Sequence, residues 1–331
     1  MNHLRITNRC PQNATIRMQH FRTFLLCGKY LMCRIACLFL ALFASPLIHA
    51  QPADVTPIEC GNCARWNTAQ TPYRLFGNSY YIGTRGLSSV LIDTDAGLIV
   101  LDGALPQSAP LIAQNIRELG FELHDVRWVL SSHAHFDHAG GIAALARLSG
   151  AQVAASTRGA NALRMGTVTA DDPQAGYGMG NAYPAIEHVT EIVDGGTLTL
   201  GNTRVRAHYT PGHTPGSTTW SWQSCEAERC ITLVYADSLN AVAAPGFRFS
   251  DTPARIAQFY ASIARVAQLR CDILVPVHPE FGDLFSRLSH SNNASRFVDT
   301  NACQRYATAA RMRLQQMIAN ETVSAPASNT R

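Results

Sequence analysis

Apolar and polar positions change period several times along the chain. Short β-rich runs come first: Tyr80-Tyr81-Ile82, Ser88–Ile92 and Leu98–Leu101. Asp95-Ala96-Gly97 lies between the last two as a turn signal, so the body opens as a β-meander. Residues 108–119 then take helical spacing, with Leu111, Ile112, Ile116 and Leu119 on one face. Val126–Leu130 is an apolar strand running straight into Ser131-Ser132-His133. Ala139–Leu148 reads as a helix stopped by Gly150, Val153–Ala155 as a strand, and Arg158–Arg164 as a short helix. Residues 166–186 are glycine-rich, carry Pro173 and Pro184 and show no period; a loop of that length is usually functional or mobile.

β character returns at Glu187–Val193, Thr197–Leu200, Arg204–Tyr209, Thr218–Trp222 and Ile231–Tyr235. An amphipathic helix is predicted over 254–269, an apolar strand over Ile273–Val277 and a long closing helix over 296–319, before a disordered tail at 325–331. There is no short internal repeat. Meander, βαβα, then meander, α, β, α predicts an α/β (α+β) molecule of two similar halves, an αββα sandwich with two mixed sheets inside and helices outside.

The N-terminus stands apart. Residues 35–48 form a 14-residue apolar run, too short for the roughly 20 residues of a membrane span. Basic residues precede it and Ile48-His49-Ala50 follow. That pattern reads as a signal peptide over 1–50, cleaved after Ala50, with Met18 or Met32 as alternative starts. A single domain then fills 51–331, and the expected location is periplasmic. No cysteine follows the run closely enough for lipid attachment. The net charge of +4 becomes −2 once the six basic residues of 1–50 are set aside. The body is therefore not a basic nucleic-acid binder. Lys29 is the only lysine, which excludes lysine chemistry in the body.

Six cysteines remain beyond the leader: Cys60, Cys63, Cys225, Cys230, Cys271 and Cys303. An even number in an exported chain points to disulfides. Spacing favours Cys225–Cys230 across a hairpin and Cys60–Cys63 as a local link, which leaves Cys271 for Cys303.

The chemistry concentrates at His133-Ala134-His135-Phe136-Asp137-His138, four metal-ligand side chains within six residues at a strand end. His133 and His135 can reach one ion from extended backbone, while Asp137 and His138 can aim at a second as the chain turns into a helix. Imidazole suits zinc, and the carboxylate adds charge and a proton acceptor. Two further histidines sit in rigid turns after strands: His213 in Thr210-Pro211-Gly212-His213-Thr214-Pro215-Gly216-Ser217, and His278 in Val275-Pro276-Val277-His278-Pro279. His124, His188, His208 and His290 lie in ordinary polar or strand contexts.

A strand followed by HxHxDH, then PGHTPGS, then a histidine after a late strand resembles the metallo-β-lactamase superfamily. Tyr235-Ala236-Asp237-Ser238-Leu239 places a serine where subclass B1 enzymes carry a zinc-binding cysteine. With His first in HAHFDH, Val277-His278-Pro279, Asp172-Pro173-Gln174, the Cys225–Cys230 hairpin and Cys271-Asp272-Ile273-Leu274, the chain resembles subclass B3 over about residues 60–318. Arg85 stands where the resemblance implies a second cysteine linking the N-terminal segment, and leaves Cys63, near Cys60, as the expected replacement.

The resemblance implies two Zn2+ ions. His133, His135 and His213 would hold the first, and Asp137, His138 and His278 the second. It implies hydrolysis of the β-lactam amide of penicillins, cephalosporins and carbapenems by a metal-activated hydroxide, giving antibiotic resistance, with Asp137 as the catalytic residue. Ser238, Asn240 and Gln174 are the substrate-binding candidates. The partner would be a small-molecule β-lactam, with no nucleic acid, no membrane after leader cleavage, and a monomeric enzyme. A lactonase or a glyoxalase-II-like thioesterase is the alternative, and it gains if Asp237 bridges the metals. A zinc-binding protein without turnover is a third.

Overall fold

The computed structural model describes residues 52–290 and 295–323. The expected leader with its alternative starts, and the tail at 325–331, lie outside the described residues. Twelve strands form two sheets among the described residues. The first holds seven in the order β1 (Tyr73–Phe76), β2 (Ser79–Tyr81), β3 (Val90–Thr94), β4 (Gly97–Leu101), β5 (Val126–Leu130), β6 (Gln152–Ala155) and β7 (Val189–Glu191). The second holds β12 (Ile273–Pro276), β11 (Arg229–Ala236), β10 (Thr218–Glu226), β9 (Thr203–Tyr209) and β8 (Thr197–Leu200). Pairing is antiparallel through β1–β4 and parallel from β4 to β7; the second sheet is antiparallel except for the parallel β11–β12 pair.

The helices are α1 (Cys63–Trp66), α2 (Ala109–Glu118), α3 (Phe136–Ala139), α4 (Ile142–Ser149), α5 (Thr157–Met165), α6 (Pro253–Gln268), α7 (Leu284–His290) and α8 (Ala302–Val323). The layering follows from side-chain alternation along strands. On β4, Ile99 and Leu101 join Leu130, Trp220, Leu233, Tyr235 and Val275 in a core between the sheets. Leu98 and Val100 face the other way, onto Ile112 and Ile116 of α2 and Ile142 and Leu145 of α4. On β11, Val234 and Ala236 pack under Phe259, Ile263 and Val266 of α6 and Tyr306 and Ala310 of α8. Leu98–Leu101 of β4 and Leu233–Ala236 of β11 are wholly apolar because both their faces are covered. The result is an αββα sandwich.

Three expectations change. The helix expected over 139–148 is two helices, α3 and α4, broken at Gly140-Gly141. A Cβ on Gly140 would meet Pro106 at 2.4 Å and one on Gly141 the Gly103 carbonyl at 2.2 Å, so the loop after β4 packs directly on the break. The closing helix begins at Ala302, not 296. Asp299 holds the preceding turn, donating its N–H to the Asp272 carbonyl (2.7 Å) and accepting from Asn301 N (3.1 Å) in an Asx turn. The elements β1, α1 and α7 are additional; each is short and carries little periodic signal.

Cys60–Cys63, Cys225–Cys230 and Cys271–Cys303 are disulfides. The last ties the entry of β12 to α8 across 32 positions. A Cys271→Ser/Cys303→Ser variant is expected to lose about 3–4 kcal/mol by loop-closure entropy, measured by urea unfolding without reductant; a midpoint within error of the wild type would refute this role.

Candidate metal centre

Five histidines and one aspartate converge where the strands of both sheets end. β5 delivers Ser131-Ser132-His133; the chain stays extended to His135 (φ −97°, ψ 153°) and enters α3 with Asp137 and His138 on its single turn. The β9–β10 turn supplies His213. Its neighbour Gly212 has φ +152°, and a Cβ there would meet the Phe259 ring at 2.7 Å, so this turn requires glycine. His278 follows β12.

The ring centroids of His133 lie 4.9 Å from His135, 4.3 Å from His138 and 4.8 Å from His213. Nitrogens of His133, His135 and His213 fall within 4.8 Å of one another, as do donor atoms of His133, Asp137 and His138. Beside these, Nε2 of His138 is 3.1 Å from Nε2 of His278, and Asp137 Oδ2 is 3.4 Å from each. The structure thus brings together all six residues named from the sequence. His124 and His188 are exposed, and His208 binds Ser221 Oγ (2.7 Å).

The outer nitrogens show how the rings are set. His133 Nδ1–H donates to Asp237 Oδ1 (2.6 Å) and His135 Nε2–H to Asp172 (3.2 and 3.3 Å). His213 Nδ1–H donates to the Asn240 carbonyl (2.7 Å) and His278 Nδ1–H to the Gly86 carbonyl (3.3 Å). His138 Nδ1 lies 3.7 Å from Asp102 Oδ2, longer than a hydrogen bond. In four rings a fixed outer N–H therefore leaves the other nitrogen as an inward lone pair, the arrangement that metal-binding imidazoles need.

The inward atom of His133, Nε2, is buried with no hydrogen-bond partner among the described residues. A buried polar nitrogen costs free energy unless something binds it. Burial pushes His133 well below its usual pKa, with His138 and His135 adding; burial, then His133, does the same to His213. Burial lowers His138 against the pull of Asp137. Burial opposes the charge of His135 too, but Asp172 outweighs it and raises that ring. Burial would raise Asp137; His138 and His278 override it and hold the carboxyl well below its usual range. Burial thus favours His133, His138 and His213 as neutral imidazoles beside an ionised Asp137, the protonation states a divalent ion requires of its ligands, so the donor set fits a metal site.

Four supporting carboxylates and hydroxyls were not assigned roles from the sequence. Asp102, directly after β4, is fully buried. It accepts from Ser132 N (2.7 Å), Ser132 Oγ (2.6 Å) and Tyr235 Oη (2.9 Å). Burial pushes its carboxyl up to about 8 against those bonds. Its φ of 59° is rare for a residue with a Cβ. A charged residue ending a wholly apolar strand was the available signal. Asp172 comes from the long 166–186 loop, whose trajectory no local pattern fixes.

Four of the six converging residues, His135, Asp137, His213 and His278, line a cleft of about 650 Å³. Ser238, Asn240 and Gln174 all lie in its wall, with Trp66, Phe136, Tyr177, Val242 and Phe281 as apolar lining. Gln174 Nε2 is 3.4 Å from His135 Nδ1. Asp237, fully buried behind His133, does not line the cleft.

The sequence profile of the metallo-β-lactamase superfamily matches residues 82–278, a span that contains all six converging residues. The chain belongs to the metallo-β-lactamase superfamily. Among solved structures it is similar to the Rm3 metallo-β-lactamase, at 46% identity and a TM-score of 0.77 over 80% of this chain and 99% of that one. It is also similar to MEM-A1, a subclass B3 metallo-β-lactamase from a soil metagenome library, at 47% identity and a TM-score of 0.76, covering 78% and 100%. A curated relative, the hydroxyacylglutathione hydrolase of Anaeromyxobacter dehalogenans (strain 2CP-C), is 30% identical over 154 residues, 46% of this chain. That match spans about half of the relative's own length (47%). Within the superfamily, the structural resemblance is to subclass B3.

Replacing Asp172 with alanine frees the outer nitrogen of His135. Metal affinity is expected to fall about 10–100-fold, measured by chelator competition on protein shown to be folded by circular dichroism. Unchanged affinity would mean that Asp172 does not set the ring.

Proposed function

We propose that this protein is a periplasmic, monomeric zinc β-lactamase that opens penicillins, cephalosporins and carbapenems and so confers resistance to them. One observation carries the choice within the superfamily: the position of Asp237. A lactonase or thioesterase of this superfamily would use an aspartate on this segment to bridge two metals. Here the Asp237 carboxylate is behind His133, 2.6 Å from Nδ1, and the cleft wall at this point is Ser238. The similarity to subclass B3 enzymes over nearly the whole length of each supports the same reading.

His133, His135 and His213 would hold one Zn2+, and Asp137, His138 and His278 a second. When bound, such ions supply Lewis acidity and a water acidic enough to attack near neutral pH. Asp137 turns Oδ2 toward His138 and His278. Its carboxylate orients the attacking water and carries a proton to the lactam nitrogen as the C–N bond breaks. Water adds across the amide, its hydroxyl to carbon and its proton to nitrogen, with no acyl-enzyme. Ser238 and Asn240 bind the substrate carboxylate, for which the body offers no lysine, and Gln174 grips the substrate beside His135. Trp66, Phe136 and Phe281 give the cleft an apolar wall against the substrate's ring system. Among the described residues no helix is long and apolar enough to cross a membrane. The three disulfides accord with an oxidising compartment.

Purified residues 51–331 are expected to hydrolyse imipenem, seen as loss of ultraviolet absorbance, to stop with EDTA and to recover with zinc. Asp137→Asn is expected to cut kcat by about 10²–10⁴. Turnover of S-lactoylglutathione but not of imipenem, by folded zinc-loaded protein, would overturn the proposal in favour of a thioesterase.

A further inference from the structure

The cleft wall contains charged side chains of one sign only besides its histidines: Glu59, Asp137 and Glu280. Glu280 is already paired with Arg65 (2.8 Å). No arginine or lysine of the wall itself therefore faces an anionic substrate group. Arg313, half-buried on α8, touches two wall residues. Its Nε donates to Asn240 Oδ1 at 2.7 Å, and its guanidinium carbon lies 4.8 Å from the Phe281 ring centroid. Its Nη2 is buried without a hydrogen-bond partner, and no carboxylate among the described residues pairs with it.

That contact decides which way the Asn240 amide faces. A guanidinium only donates, so it must meet the amide oxygen. The amide nitrogen is then the free end of a side chain in the cleft wall, and it can only donate. Donation from a cation into the carbonyl also polarises the amide and strengthens that N–H as a donor. The same helix fixes the rest of the segment. Tyr306, seven residues earlier and so on the same face of α8, donates its hydroxyl to the Asp237 carbonyl (2.8 Å) and accepts from Leu239 N (3.3 Å). Backbone and side chain of Asn240 are thus both set, one by His213 and the other by Arg313.

We propose that Arg313 is the positioning residue of an anion-binding edge of the cleft, acting through Asn240 to present an amide donor to the carboxylate of the substrate. The proposal rests on the hydrolase reading for the identity of that substrate, but not for its test. Zinc-loaded residues 51–331 are titrated in a calorimeter with mercaptoacetate and with 2-mercaptoethanol, two thiols that differ in carrying a carboxylate or a hydroxyl. The ratio of the two affinities reads the anion site alone. The ratio is expected to fall about tenfold in Arg313→Met and in Asn240→Ala, the size of one hydrogen bond to a charged group. It should fall no further in the double variant and be partly kept in Arg313→Lys. An unchanged ratio in folded, zinc-loaded Arg313→Met would overturn the proposal. Losses that add in the double variant would overturn the route through Asn240. No β-lactam is turned over in this measurement, so failure of the lactamase reading would show separately, in the imipenem assay.

Discussion

The centre depends on hydrogen bonds made at the backs of imidazole rings. Asp237, Asp172, the Asn240 carbonyl and the Gly86 carbonyl each take the outer N–H of one histidine. Without them each ring could rotate or exchange tautomers, and the inward lone pairs would not point at common positions. With them, burial works in favour of the site, because it suppresses the charged imidazolium that would repel a metal. The rings are packed closely enough, at centroid separations of 4.3–4.9 Å, that protonating several of them together would be strongly unfavourable. The acceptors come from three separate parts of the chain, around residues 86, 172 and 237–240, so only the completed fold assembles them.

This explains why the sandwich has its shape at this edge. Parallel strands β4, β5 and β6 end together, and so do β11 and β12. Their outgoing loops therefore meet at one rim, as the ends of parallel strands generally do in open sheets. Asp102 sits at the meeting point in a left-handed conformation and anchors Ser132, next to His133, and Tyr235, two residues before Asp237. Backbone strain of this kind persists only where surrounding contacts over-determine it, and three hydrogen bonds to one buried carboxylate supply that.

Much of this was legible in the sequence. The six converging residues stood out because histidines in HAHFDH and in proline- and glycine-bounded turns are hard to explain otherwise, and the period changes located most strands. What escaped was determined at a distance. The break at Gly140-Gly141 follows from a distant loop, Gly103–Pro106, pressing on it. The role of Asp172 follows from the path of a loop without regular pattern. Asp237 could be placed on the right segment but not on a side of it. A register difference of one residue separates a bridging carboxylate from one behind a histidine, and the pairing of β11 with β10 on one side and β12 on the other fixes that register.

That one-residue difference would also set the charge at the proposed metal centre. Of the six converging side chains only Asp137 is anionic. With the two Zn2+ ions proposed here, the inner shell would carry about three net positive charges before any solvent-derived ligand. A bridging aspartate at position 238 would remove one of them. With Ser238 there, the site stays more electrophilic and more attractive to an anionic substrate. Asp237 and Asp172 still offset part of this charge, but through imidazole rings, from outside the coordination sphere. The carboxylates would therefore steady the proposed cations without occupying the positions that substrate and water need. The same division holds at the anion edge, where Arg313 stands one side chain behind Asn240. In both places the formal charge is held back from the cleft and reaches it through a neutral, oriented group, which leaves the cleft surface free for substrate.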